Sequence, residues 1–153
     1  MTDRAPRPQV PASWIPIDPF PRIHTARSFV SETLESDRLR VMYFRVGDEP
    51  TLRAKVWFGP GTEGPPGIAH GGAVAAALDE AVGGVAWMLG HRVVVARLTV
   101  DFRTMVPLGI DAEIEATIAG IDGRKITCRA RLTDGETILA EAEGLCVLLR
   151  EGV

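Results

Sequence analysis

The sequence predicts an α+β fold in which one long central helix is wrapped by an antiparallel sheet of five or six strands. Two patterns lead to it. Residues from about Gly71 to Leu89 form one apolar run of Ala, Val and Gly, long enough for a helix and too long for a strand. The rest of the chain from Asp37 onward is rich in β-formers, and its last third alternates apolar and polar residues with period two. A lone apolar helix has only the sheet to bury itself against.

The 153 residues are most simply one domain, with a proline-rich arm at 1–36 and a folded domain at 37–153. Residues 1–21 hold six of the eleven prolines, which rules out a continuous helix or a fully bonded strand there. Trp14, Ile15 and Phe20 predict that part of the arm docks on the body or on a partner subunit, and a short helix is expected near residues 25–35.

"RLRVMYFRV" and "TLRAKVWFG" read as two strands around a turn at Gly47–Pro50. "GPGTEGPPGIA" holds four glycines and three prolines and is a loop. After the helix, "VVVARLTVDFR" runs to a turn at Pro107–Gly109. "AEIEATIA", "KITCRARL" and "TILAEAEGLCVLL" then form hairpins at Asp122–Gly123 and Asp134–Gly135. A three-residue loop from Thr133 to Gly135 keeps the apolar faces together, placing Cys128 opposite Ala140 and Ala130 opposite Ile138. The two cysteines are then not opposite each other and read as reduced core residues. The order is β-β-α-β-β-β-β, without internal repeat.

Composition excludes some functions. A net charge of −3 argues against a nucleic-acid partner. No charged start with an apolar stretch after it marks a secretory signal, and the run from Ala73 to Leu89 is broken by two acids and too short for a membrane span. No membrane association and a cytoplasmic location are expected. His70, Asp79 and Glu80 lack a metal-ligand spacing, so no metal is expected either.

The start of the helix carries chemistry. Backbone N–H groups in a first turn lack intrahelical acceptors, and the macrodipole adds roughly half a positive charge. Gly71 and Gly72, after His70, let a ligand oxygen approach those N–H groups and be held as an oxyanion. Such glycines also serve simply to turn a loop tightly, and Asp79 is what separates the two readings. Its neighbours one turn away are Ala75, Ala76, Val82 and Gly83, with no cation among them, so a raised pKa is expected. Glu80 points about 100° away around the helix, so only one of the two acids easily faces a given cleft. Gly71 and Asp79 are separated by about 12 Å of helix. One helix cannot bring both to a single carbonyl carbon, whereas an antiparallel copy can, and the chemistry therefore predicts a two-fold dimer with two interface sites.

Together, "PPGIAHGG", Asp79 nine positions after the histidine, and "LTVDF…VPLG" resemble the hotdog-fold acyl-CoA thioesterases, in particular the group that includes the phenylacetate-pathway thioesterase. The similarity covers about residues 37–149 and leaves the arm unmatched. It implies a hotdog fold, a dimer with a continuous sheet, and often a dimer of dimers. It implies that Asp79 is the nucleophile or general base, that the Gly71 N–H polarises the thioester carbonyl, and that His70 is the motif histidine beside it. Gly72, Glu80, Val95 and Arg97 are expected to face the substrate. Many relatives of this kind carry Ser or Thr where this chain has Val95. Some carry Asn or Gln in the loop before the histidine, where Thr62 and Glu63 are the polar candidates here, and Thr104–Met105 replaces an Arg-Pro pair.

The expected activity is hydrolysis of an acyl-CoA-type thioester, with no cofactor because coenzyme A is part of the substrate. Arg97, Arg103, Arg124 and Lys125 are candidates to meet its phosphates. Trp57, Trp87 and Phe102 are expected near the cleft, compatible with a medium-chain or aromatic acyl group. Two rivals remain: a non-catalytic acyl-thioester binding protein, which Val95 favours, and a hotdog dehydratase or hydratase, which the His70–Asp79 spacing disfavours.

Overall fold

The computed structural model describes residues 7–20 and 28–152. Its elements are β1 (Ile15–Ile17), β2 (Leu39–Arg45), β3 (Thr51–Phe58), a 3-10 turn (Pro60–Thr62), α1 (Gly71–Met88), β4 (Val93–Phe102), β5 (Asp111–Asp122), β6 (Lys125–Asp134) and β7 (Thr137–Leu148). One antiparallel sheet runs β1-β2-β3-β5-β6-β7-β4 and wraps the helix, the hotdog arrangement that the motifs imply.

The helix buries Val74, Ala77, Leu78, Ala81, Val82, Val85 and Ala86, a stripe of steps of three and four that faces the sheet. Each fully buried Leu or Val there contributes about 1.5–3 kcal/mol. Val82 sits so close to β7 that a Cβ on Gly144 would lie 2.8 Å from its Cγ2, so the helix can settle there only over a glycine.

The sheet has seven strands rather than five or six. The addition is β1, taken from the proline-rich arm, whose Ile15 pairs with Arg45 and Pro16 with Phe44 at the sheet's edge, the place a proline tolerates. The arm docks on its own chain: Trp14 packs on Phe44 with ring centroids 5.5 Å apart, and Phe20 packs edge-on against Tyr43 and Trp87. Of the short helix expected near 25–35, residues 25–27 lie outside the described residues, and 28–35 form turns and bends instead. Side-chain hydroxyls replace the helical ladder there: Ser28 Oγ accepts the Ser31 N–H, and Thr33 Oγ1 the Glu35 N–H.

The β6–β7 register differs from expectation. Cys128 lies opposite Gly144, not Ala140, and Ala130 opposite Ala142, not Ile138. The loop is Gly135–Glu136, closed by Asp134↔Thr137, and a bulge between Leu132 and Thr133 leaves Leu139 without an opposite residue. That bulge turns both Leu139 and Ala140 inward, which strict alternation does not anticipate. Cys128 and Cys146 are both free and buried, on diagonal positions with their sulfurs 4.0 Å apart.

The sheet's outer face carries cross-strand ion pairs, Lys55–Glu113 at 2.7 Å, Arg53–Glu115 at 3.0 Å and Arg129–Glu143 at 3.0 Å. Strand β4 forms the other edge of the sheet and runs past the whole helix. Its Val95 lies 3.6 Å from the position a Cβ on Gly83 would take, and its Phe102 ring reaches Gly71.

Candidate active site

The loop before α1 is tied down by its backbone. The Ala69 N–H donates to Val106 O at 2.8 Å, and the His70 N–H to Thr62 O at 2.7 Å. His70 then stands at the N-cap with extended backbone (φ −60°, ψ 138°). Its Nδ1 accepts the Gly72 N–H at 2.8 Å, which places the proton of the neutral ring on Nε2. The N–H groups of Ala73 and Val74 both donate to His70 O. Only the Gly71 N–H is left without an acceptor among the described residues of this first turn. A Cβ on Gly71 would meet the exposed Phe102 ring at 3.4 Å, so the donor lies beside an aromatic edge.

Asp79 sits two turns on, exposed, with no hydrogen-bond or ion-pair partner among the described residues. Partial loss of hydration over the apolar helix surface raises its pKa above the ordinary value, and the Glu80 charge raises it further. Val95 lies beside Gly83, one turn after Asp79, and turns a methyl rather than a hydroxyl toward the helix. Gly71 thus lies at the Phe102 end of β4, and Asp79 sits two turns along the helix toward the Val95 end. Within one chain the helix rise keeps them about 12 Å apart, and the structure does not bring them together.

Glu80 is engaged on both oxygens. Oε1 accepts from the Tyr43 hydroxyl at 2.7 Å and Oε2 from the Ser28 hydroxyl at 3.1 Å. Burial and the adjoining carboxylate hold the Tyr43 proton in place well past a tyrosine's usual pKa. Ser28 carried no signal in the sequence. Tyr43 did, as the single tyrosine at an inward strand position, since a buried phenol needs a hydrogen-bond partner.

The remaining candidates scatter. Arg97 is exposed on β4, just past a bulge after Val95. Arg103 pairs with Glu141 at 3.2 Å, and Arg124 donates to Leu148 O at 2.8 Å. Trp57 departs from expectation: it lies on the outer face under the Arg40 guanidinium, 4.2 Å from its ring centroid, because period two turns it away from the inward-facing Val56. Trp87 bonds Val93 O near the far end of the helix, and only Phe102 reaches the helix start.

A cleft of about 850 Å³ opens beside His70 and Gly72, between Ala73 and Ala76 of α1 and a wall that includes Ser28, Phe29 and Val30. Among the described residues, no group of three or more His, Cys, Asp or Glu is placed to hold a metal ion, and no helix is long and apolar enough to cross a membrane.

Comparison with known proteins agrees with this fold. Residues 66–141 match the thioesterase superfamily. Acyl-coenzyme A thioesterase THEM4 of Xenopus laevis is 39% identical over 93 residues, covering 60% of this chain and 42% of that protein. The Bos taurus THEM4 is 31% identical over 130 residues, covering 84% of this chain and 54% of that protein. The chain thus spans about half, or less, of the length of these curated relatives. The E. coli PaaI protein from the phenylacetic acid degradation operon shares the fold, with a TM-score of 0.66 at 14% identity over 72% of this chain and 80% of that one. Motif, fold and relatives converge: this chain belongs to the thioesterase superfamily.

Proposed function

We propose that the chain hydrolyses acyl-CoA-type thioesters at sites shared between two protomers. The observation that carries this reading is the pair of unpartnered groups two turns apart on α1, the Asp79 carboxylate and the Gly71 N–H. A two-fold axis at the β4 edge sets the helices antiparallel and brings Asp79 of one protomer toward Gly71 of the other. An unpaired ten-residue edge strand with Val94 53% and Phe102 57% exposed is also a surface that a second copy would cover.

In that site the Gly71 N–H, backed by the helix dipole, holds the thioester oxygen and the negative charge that develops on it. His70 keeps the neighbouring N–H occupied and so directs the oxygen to a single donor. The Asp79 carboxylate either takes a proton from the attacking water or attacks the carbonyl carbon to give an anhydride that water then opens. Both routes release the free acid and the thiol. Its raised pKa makes it the better base. The names of the curated relatives support the acyl-CoA class of substrate.

The experiment is a panel of acyl-CoAs with detection of free thiol, run on the parent and on Asp79→Asn. The variant should lose hydrolysis and keep its fold and oligomeric state; equal rates would remove Asp79 from the mechanism. Val95, without a hydroxyl to orient water, favours one other reading, an acyl-thioester binding protein. Tight binding of coenzyme A esters with no turnover by the parent would establish that reading instead.

A further inference from the structure

One wall of the cleft beside the helix start is irregular backbone with a specific fastening. Residues 28–38 form turns and bends with no strand or helix, yet this segment closes the cleft opposite Gly72, Ala73 and Ala76. Its far end is pinned, because Asp37 O and Arg38 O accept the Gly61 and Gly59 N–H groups, but residues 28–35 have no ladder to hold them. Val30 is buried in the core, and the segment's hydrogen-bonded tie to the helix runs through Ser28. The Ser28 hydroxyl donates to Glu80 Oε2 at 3.1 Å and accepts from the Ser31 N–H at 3.1 Å, and its oxygen is 3.0 Å from Ser31 Oγ. A hydroxyl has one donor and two acceptor positions, so every bonding capacity of Ser28 is used. Glu80 in turn is braced from the sheet by the 2.7 Å bond from Tyr43, which is 6% exposed.

We propose that Glu80 is a positioning residue whose Tyr43–Glu80–Ser28 latch fixes the 28–38 wall and so sets which acyl groups fit the cleft. The proposal rests on the thioesterase reading for its substrate. Glu80 lies one helical turn from Ala76, which lines the cleft, so the latch stands at the inner end of the groove that starts beside His70 and Gly72. With the latch made, an acyl chain running along Ala73 and Ala76 meets the braced wall. With it broken, the wall is free to move outward and longer chains gain room.

The test has two readouts. Hydrogen–deuterium exchange of residues 28–36 should quicken at least fivefold in Ser28→Ala and in Glu80→Ala. The kcat/KM ratio of an octanoyl to an acetyl ester should rise at least fivefold in the same variants, with the change in KM. Glu80→Gln keeps an acceptor for Tyr43 and a partner for the Ser28 hydroxyl, so it should return both readouts to the parent's values, which a requirement for charge alone would not allow. If the parent turns over no ester, affinities for the non-hydrolysable S-octyl and S-ethyl thioethers of coenzyme A replace kcat/KM, so failure of the thioesterase reading remains visible as such. Parental exchange in Glu80→Ala, or an unchanged long-to-short ratio in both alanine variants, overturns the proposal.

Discussion

The Nδ1 atom of His70 accepts the Gly72 N–H at 2.8 Å, and this bond decides which donor of the helix start stays available. With Gly72 occupied and the next two N–H groups turned back to His70 O, the Gly71 N–H alone is left without an acceptor among the described residues of this turn. In the proposed site the cap removes a competing donor and leaves the Gly71 N–H to the substrate.

A single substitution can delete that donor. Proline lacks an N–H and is favoured at the first position of a helix, and His70, with φ −60° and ψ 138°, already has the extended backbone that a following proline requires. Gly71→Pro should therefore leave melting temperature near the parent's while kcat falls about 10²–10³-fold, the usual cost of losing one oxyanion donor. Undiminished turnover in a folded Gly71→Pro protein would mean that the oxygen is held elsewhere.

Asp79 sets function against stability. Its pKa is raised in the fold, so the folded state disfavours the ionised form, and the destabilisation is present once pH exceeds the folded value. It disappears as pH falls below the unfolded value of about 3.8, where the carboxyl is protonated in both states. Asp79→Asn should thus melt at or above the parent at pH 7, with the gap closing toward pH 3.5. Glu80→Gln removes the neighbouring charge that raises Asp79, so the acidic limb of the kcat/KM profile should move to lower pH.

Val95 tests how the water is held. Replacing it by Thr puts a hydroxyl beside the turn that follows Asp79 with little change of shape. Turnover of a good ester should rise several-fold, at a stability cost of about 1 kcal/mol for a half-buried hydroxyl. Steady-state kinetics with a thermal melt read both effects, and unchanged kcat would show that water is placed without help from β4.

The β4 edge tests assembly. Val94 is 53% exposed, so Val94→Lys costs the isolated chain little. In a dimer joined at that edge it sets like charges near each other. Light scattering should show a shift toward monomer, and specific activity should then fall on dilution more steeply than for the parent. A fully active monomer would exclude the shared site.

The helix and the residues of the candidate site along it were legible because they lie on one continuous element. The capping histidine, the glycines and Asp79 keep a fixed spacing along α1, whose observed span is Gly71–Met88. The hairpin register was not, since alternation alone does not reveal the bulge that turns Leu139 and Ala140 to the same side. Strand β1 was hidden because three residues around a proline carry no periodicity. The Ser28–Glu80–Tyr43 contact escaped for a different reason: it joins positions 52 and 37 residues apart, and nothing local in the chain reports such a pairing.

Placing an acid and a backbone donor two turns apart on one helix has a genetic corollary. In a dimer of Asp79→Asn with Gly71→Pro, one crevice collects both lesions and the other receives an intact acid from one parent and an intact amide from the other. Two dead proteins, unfolded and refolded together in equal amounts, should therefore regain about a quarter of wild-type turnover through random reassortment.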